Sequence, residues 1–221
     1  MRQLYLKELK LNVKWPVYLM GLMGAVMLVP NYPLIVGIGY TIFQIFIYLQ
    51  FARENRSQEF SAMLPVKRND IVTSTTWITV TLQMMTTLIA AVCAAAVRIL
   101  AKFTLDYSDG NQVGLDANLT FFGVGLVCLA VFNLIFIPKF FKTGYKYGAP
   151  ILLGLLGFCG AYVVLELVIQ LVPALRNALD TYAVKTVWAR ILVLVVGAVC
   201  YAVVTFLANR IAQKKFEKVS L

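Results

Sequence analysis

The sequence contains no histidine. Imidazole is therefore excluded as a base, proton relay or metal ligand. Acid is scarce as well: 10 Asp and Glu in 221 residues, and Glu166 alone falls inside a long apolar run. The four cysteines, Cys93, Cys128, Cys159 and Cys200, are far apart and form no CxxC pair. A disulfide framework or a thiolate metal site does not fit that spacing, and they read as small apolar residues. There is no GxxxxGK[ST], so the chain carries no phosphate-binding loop of its own, and no HExxH or GxSxG. Paired carboxylates and Ser/His arrangements are missing too. The composition fits a transporter subunit or a structural membrane partner better than an enzyme.

What the sequence holds in excess is apolar residue. The content is 61% and the mean hydropathy +0.80, against roughly 45–50% apolar in soluble domains. A chain this short leaves much of its surface exposed when folded, so a soluble globule is excluded, and so is a disordered chain. Six stretches approach the ~20 apolar residues needed to cross a bilayer: Trp15 to Val29, Leu34 to Phe51, Ile71 to Val97, Leu119 to Pro138, Ala149 to Val172 and Trp188 to Ala208. The first is the shortest and draws on Asn31 and Tyr32 to complete its length. Pro30-Asn31-Tyr32-Pro33 is a turn signal, making the first two spans a hairpin. The expected fold is all-α: a polytopic membrane protein, residues 1–221 forming one transmembrane domain. No internal repeat or low-complexity tract interrupts it.

The positive-inside rule orients this bundle. With both termini in the cytoplasm, the inner segments carry 15 of the 20 Lys and Arg and the outer segments 5. The net charge of +10 is thus a membrane-orientation signal, and no nucleic-acid partner is expected. The first apolar stretch follows basic residues, as in a signal peptide, but no small-x-small site follows it, and it reads as a retained anchor. Residues 1–14 place Leu6, Leu9 and Val13 roughly on one face, with Lys7, Lys10 and Lys14 elsewhere. This pattern predicts a short interfacial helix. Trp15 and Trp188 fall at expected interfaces. Asn118-Leu119-Thr120 fits a glycosylation sequon abutting the membrane and reads as chance.

The most informative segment is the inner loop 52–70. Ser57 is placed to cap a short helix over Gln58 to Leu64. Phe60, Met63 and Leu64 fall at i, i+3 and i+4, giving that helix an apolar face. Pro65 stops it. Asn69 or Asp70 then caps the third span, which opens with Ile71-Val72. Such a helix, joined rigidly to two spans, can transmit a push from a soluble partner.

The run Glu59-Phe60-Ser61-Ala62-Met63-Leu64-Pro65-Val66-Lys67-Arg68-Asn69-Asp70-Ile71-Val72 resembles the segment after the second span of type-2 permeases of ATP-binding cassette exporters. The six spans, a Lys-Glu-Leu-Lys N-terminal segment and a basic C-terminal end match as well. The chain departs from the pattern in having Met63 before Leu64-Pro65 and no Lys in Ser74-Thr75-Thr76-Trp77. The resemblance implies a pair of permease chains, a homodimer or a paralogous heterodimer, in a bacterial cytoplasmic membrane, working with separate ABC ATPase subunits. ATP and Mg would be bound by the ATPase chains and no cofactor by this one. The loop helix would be the coupling helix, with Arg53, Glu54, Arg56, Glu59 and Arg68 as polar contacts, Phe60, Met63 and Leu64 as apolar anchors, and Pro65 as its stop. Small exporters of this design resemble bacterial peptide-toxin and bacteriocin exporters, which implies an amphipathic peptide as cargo.

Polar residues within the spans have two readings. Glu166, with Gln170 one turn later and Arg98 and Arg190 near the same outer level, is either a substrate or gate contact or a structural ion pair. Gln44, Gln83 and Asn133 read as interhelical glue. The hydroxyl-rich third span either bonds back on itself or faces a pathway. Gly154, Gly157 and Gly160 leave a shallow face on the fifth span. By the resemblance this stripe is the candidate dimer seam, and Gly is also common in membrane helices generally. The outer loop 98–118 forms at most a small cap. A rival reading is a non-transporting membrane protein, such as an immunity factor or scaffold; an intramembrane enzyme fits least.

Overall fold

The computed structural model describes residues 2–29, 32–63, 66–101, 114–180 and 186–217. Leu64, Pro65, the side chain of Glu59 and most of the loop 98–118 lie outside the described residues. Helices dominate: α1 (Arg2–Asn12), α2 (Trp15–Leu22), a 3-10 helix (Met23–Leu28), α3 (Ile35–Glu54), α4 (Ser57–Met63), α5 (Arg68–Ala101), α6 (Leu119–Lys142), α7 (Gly148–Leu171), α8 (Pro173–Leu179) and α9 (Val187–Phe216). Five of them, α3, α5, α6, α7 and α9, are each long and apolar enough to cross a membrane. The stretch expected as the first span is different. Pro16 opens α2 in its first turn, and the helix tightens into the 3-10 segment after Leu22. Eight residues at ~1.5 Å and six at ~2.0 Å rise about 24 Å, short of a ~30 Å hydrocarbon core. Together with α1, from which it is bent by 85°, this segment makes a sixth candidate span.

Glycine lets that short segment sit close. A Cβ on Gly24 would stand 2.7 Å from the Thr86 carbonyl of α5, and one on Gly21 would stand 2.7 Å from Gln44 Nε2 on α3. The central helix is α6: 67% of its apolar window is buried, against 17% for α7. Its closest crossing is with α9, where a Cβ on Gly123 would meet the Val193 carbonyl at 2.7 Å and one on Gly197 would strike the Gly123 backbone. Along α6, Phe132, Phe136 and Phe140 recur every four residues and stack with ring centroids 5.1 and 5.6 Å apart. The aromatic row continues through Phe141 and Tyr145 to Phe216 of α9.

Polar pairs cross this apolar interior. Gln83 of α5 and Asn133 of α6 exchange two amide hydrogen bonds of 2.8 and 2.9 Å. Asn133 also donates to Thr205 of α9 at 3.0 Å, and Tyr201 donates to Gln83 Oε1 at 2.6 Å. Thr86 donates to Gln44 Oε1 at 2.9 Å. The threonines of α5 mostly turn back on their own helix: Thr73, Thr75, Thr76, Thr79, Thr81 and Thr87 each donate to the carbonyl four residues earlier. The hydroxyl-rich face is therefore largely self-satisfied. The three amides link helices, the role membrane interiors give such groups.

Candidate functional site

The two ends of the bundle are built differently. One end gathers α1, α4, the start of α5, the turn between α6 and α7, and the end of α9. The other carries α8 and the approach to α6.

At the α4 end a buried carboxylate organises the surroundings. Glu8 is 5% exposed. Its oxygens accept hydrogen bonds from Ser57 at 2.8 Å, Asn12 at 2.6 Å and Tyr48 at 3.1 Å. Lys7 pairs with it at 3.2 Å and also donates to the Ser57 carbonyl at 2.9 Å and the Ser61 hydroxyl at 2.6 Å. Asn55 closes the ring by donating to Asn12 and to the Leu11 carbonyl. Helix α1 is thus clamped to α3 and α4 through a satisfied polar cluster, the arrangement a buried charge requires. Sequence reasoning missed it, because the buried stripe of α1 is Leu4, Glu8 and Asn12, not the apolar Leu6, Leu9 and Val13. Leu6 is exposed, while Val13 is buried. The spacing Leu4–Glu8–Asn12 is a helical face, so periodicity with polar residues counted was the available signal.

Two local expectations change here. The Ser57 hydroxyl does not cap α4: it is buried and given to Glu8. Helix α5 begins at Arg68 rather than Ile71, so Asn69 and Asp70 lie inside its first turn, and Asn69 Oδ1 is buried without a hydrogen-bond partner. Two of the three apolar residues expected on α4 are exposed, and the third, Leu64, lies outside the described residues. Phe60 is 54% and Met63 84% exposed, and Lys7 Nζ lies 5.3 Å from the Phe60 ring centroid. Glu54 is exposed at the end of α3. Arg68 stands over the Phe216 ring at 5.9 Å. Arg53 and Arg56 line a cavity of about 500 Å³ between the end of α3 and the α6–α7 turn.

At the other end, Glu166 finds a partner on its own helix: the Tyr162 hydroxyl donates to it. Both side chains lie against Gly114, where a Cβ would stand 2.9 Å from Glu166 Oε1. Gln170 donates to Asp180 Oδ2 at 2.8 Å, and the Asp116 N–H donates to Asp180 Oδ1 at 3.0 Å. These bonds pin α7 and α8 to the segment leading into α6. Arg98 lies in the last turn of α5. Asn118 of the sequon is buried: it caps α6 by accepting from the Phe121 N–H at 3.0 Å and donates to the Leu179 carbonyl at 2.8 Å. That double duty is a structural reason for the residue.

The glycine stripe of α7 divides. Gly154 and Gly157 face α6 of the same chain: a Cβ on Gly154 would meet Phe132 at 2.8 Å, and one on Gly157 would strike Ile135. Their missing side chains serve that intrachain contact rather than a surface seam. Gly160 has nothing within 4 Å of an added Cβ.

No curated protein and no solved structure matches the chain. A family profile does, over residues 3–213, and its family is described as ABC-2 family transporter protein. That match runs from α1, with the Glu8 clamp, into the last turn of α9. It agrees with several helices long and apolar enough to cross a membrane. The family implies a transmembrane subunit that works with ABC ATPase chains and is not itself the ATPase. The chain belongs to the ABC-2 transporter family and is a multi-pass membrane subunit of an ABC transporter.

Proposed function

We propose that this chain is the membrane subunit of an ATP-driven exporter, working as a homodimer or paralogous heterodimer in a bacterial cytoplasmic membrane with both termini inside. ATP and Mg bind the partner ATPases, and α4 is the coupling helix that receives their closure. The observation that carries the reading is the state of α4. It presents Phe60 and Met63 outward, large apolar side chains of the kind that anchor interfaces. Its opposite face is held by Ser57 and Ser61 to the Glu8–Lys7 pair of α1. A short helix fixed on one side and apolar on the other passes force to α1, α3 and α5 instead of yielding to it. Glu54 and Glu59 supply polar contacts at its edges, with Arg53, Arg56 and Arg68 beside them; Leu64 and Pro65 complete the segment. An amphipathic peptide is the proposed cargo. Glu166, Gln170 and Arg98 mark the gate region of the pathway at the outer end, and Gly160 with the exposed apolar face of α7 is the proposed dimer seam.

The test is co-purification of the chain with its ATPase, followed by ATPase assays in liposomes with amphipathic peptides added. The Phe60→Ala/Met63→Ala variant is expected to insert and fold normally while losing at least ~10-fold in ATPase affinity, because buried interface anchors are each worth upward of ~1 kcal/mol. Full association in that variant refutes the coupling role of α4. Absence of stimulation by any amphipathic peptide refutes the cargo class.

A further inference from the structure

The cavity at the α4 end has a chemistry of its own. It is walled by Arg53 and Arg56 at the end of α3, by Lys146, Tyr145 and Tyr147 in the α6–α7 turn, and by Gly148. Its volume is about 500 Å³, within the range of small-molecule sites. Three of its side chains are cationic, and among the described residues none that lines it is acidic. Helix α7 starts at Gly148 and its N-cap, Tyr147, makes no side-chain hydrogen bond. Pro150 has no N–H and the Ile151 N–H is given to the Tyr147 carbonyl at 3.0 Å, which leaves the Gly148 and Ala149 N–H groups without intrahelical partners at the positive end of a 24-residue helix, on the wall of a basic cavity.

The backbone around the cavity is held in an unusual form. Arg56 has φ +46°, Tyr145 φ +67° and Gly144 φ +60°. For a bulky residue such as Tyr145 the left-handed region is rarely populated. The turn is fixed by Thr143, whose single hydroxyl proton has the Lys146 carbonyl at 2.9 Å and the Lys139 and Phe140 carbonyls at 3.1 Å as acceptors. The Tyr145 hydroxyl is buried with no hydrogen-bond partner. Burial pushes that phenol well above its usual range, so it stays a neutral donor. The shape is preformed, and both its charge and its free donors call for an anion.

We infer that this cavity binds the phosphate headgroup of an anionic phospholipid. The cavity lies where α3, α6 and α7 leave the apolar region, so a lipid can place its headgroup among Arg53, Arg56 and Lys146 while its chains stay in the bilayer. Basic pockets between membrane helices hold lipid phosphates in this way, and guanidinium forks suit phosphate oxygens. The amphipathic rings of Tyr145 and Tyr147 suit that depth. The site goes beyond ATPase coupling: it uses the turn between α6 and α7 and operates without a partner chain.

The full-length chain, purified without an ATPase and stripped of lipid, is titrated in detergent with phosphatidylglycerol and with zwitterionic phosphatidylcholine. Native mass spectrometry reads bound lipid. Each basic group near an anionic headgroup contributes about a five-fold gain, so the Arg53→Gln/Lys146→Gln variant is expected to lose roughly 25-fold in phosphatidylglycerol preference. The Lys10→Gln/Lys214→Gln variant, with the same change of charge outside the cavity, is expected to keep it. Undiminished preference in the first variant, or an equal loss in the second, overturns the site. Displacement of the lipid by millimolar inorganic phosphate overturns the lipid as source and assigns a soluble anion. Normal lipid preference with lost ATPase association in the Arg53→Gln/Lys146→Gln variant overturns it in favour of a protein partner. A photoactivatable phosphatidylglycerol tests the unmodified protein: labelling is expected within residues 144–148, and labelling confined to other segments refutes the assignment.

Discussion

Replacing Gly197 by alanine tests the α6–α9 crossing. The added Cβ would strike the Gly123 carbonyl and lie 2.9 Å from Gly123 Cα. Those atoms are backbone, and α6 is locked between α7, α9 and the Gln83–Asn133 pair, so no flexible side chain can swing away. Relief requires the two helices to move apart, which opens the apolar contacts along their length. Overpacking of this kind typically costs about 1–3 kcal/mol. Against it, alanine gains about 0.5–1 kcal/mol over glycine within a helix. The net expectation is a loss of about 1–2 kcal/mol, five- to thirty-fold in the folding equilibrium. The control is Gly39→Ala on α3, whose Cβ would meet Phe158 at an ordinary 3.6 Å; here only the gain remains. Reversible unfolding in mixed SDS micelles, followed by circular dichroism, reads both. A Gly197→Ala protein at least as stable as the wild type would refute the backbone-on-backbone crossing.

Asn133→Leu removes three interhelical hydrogen bonds, each worth ~0.6 kcal/mol on average in a membrane, and should lower stability by about 2 kcal/mol. Adding Gln83→Leu should recover part of it, since replacing both partners is milder than orphaning one; simple additivity in the same SDS titration would contradict the pairing. Glu8→Ala leaves the Ser57, Asn12 and Tyr48 donors without their acceptor, at about 1–3 kcal/mol for each that water does not reach. Trypsin should then cut at Lys10 or Lys14 several-fold faster, and unchanged cleavage would show that α1 is held by something else. Gly157→Ala should destabilise the single chain, whereas Gly160→Ala should leave it intact and weaken only a dimer; an effect of Gly160→Ala on the monomer would remove it from the seam.

The long helices were legible because each satisfies one strong rule, about 20 apolar residues in a row. The short first segment was less so. Its apolar content is high, but Pro16, Gly21 and Gly24 shape its form, and the 3-10 turn follows from how closely it packs on α3 and α5. Helix α4 was readable from Phe60 and Met63, whereas the bond of Ser57 to Glu8 was not, because a capping serine and a tertiary donor look alike in one dimension. Glu8 itself sits in a Lys-Glu-Leu-Lys run that hydropathy assigns to the surface. Only the meeting of α1, α3 and α4 supplies its three donors and so permits its burial. The α7 stripe shows the converse. Three glycines at three-residue spacing read as one face, yet Phe132 and Ile135 of α6 claim two of them.

The 24 Å rise of the Trp15–Leu28 segment bears on the surrounding lipid. Its neighbours α3 and α5 have 20 and 34 residues, about 30 and 51 Å at ~1.5 Å per residue, enough to traverse a full hydrocarbon core. A bundle that is short on one side and long on the other imposes hydrophobic mismatch unevenly around its perimeter. The bilayer must thin beside α2 or let the headgroups dip there, at fractions of a kcal/mol per ångström. The free energy of any rearrangement that moves α2 or lengthens its 3-10 turn then depends on acyl-chain length. Membrane thickness becomes a variable that acts on the protein from the side on which α1 and α2 lie.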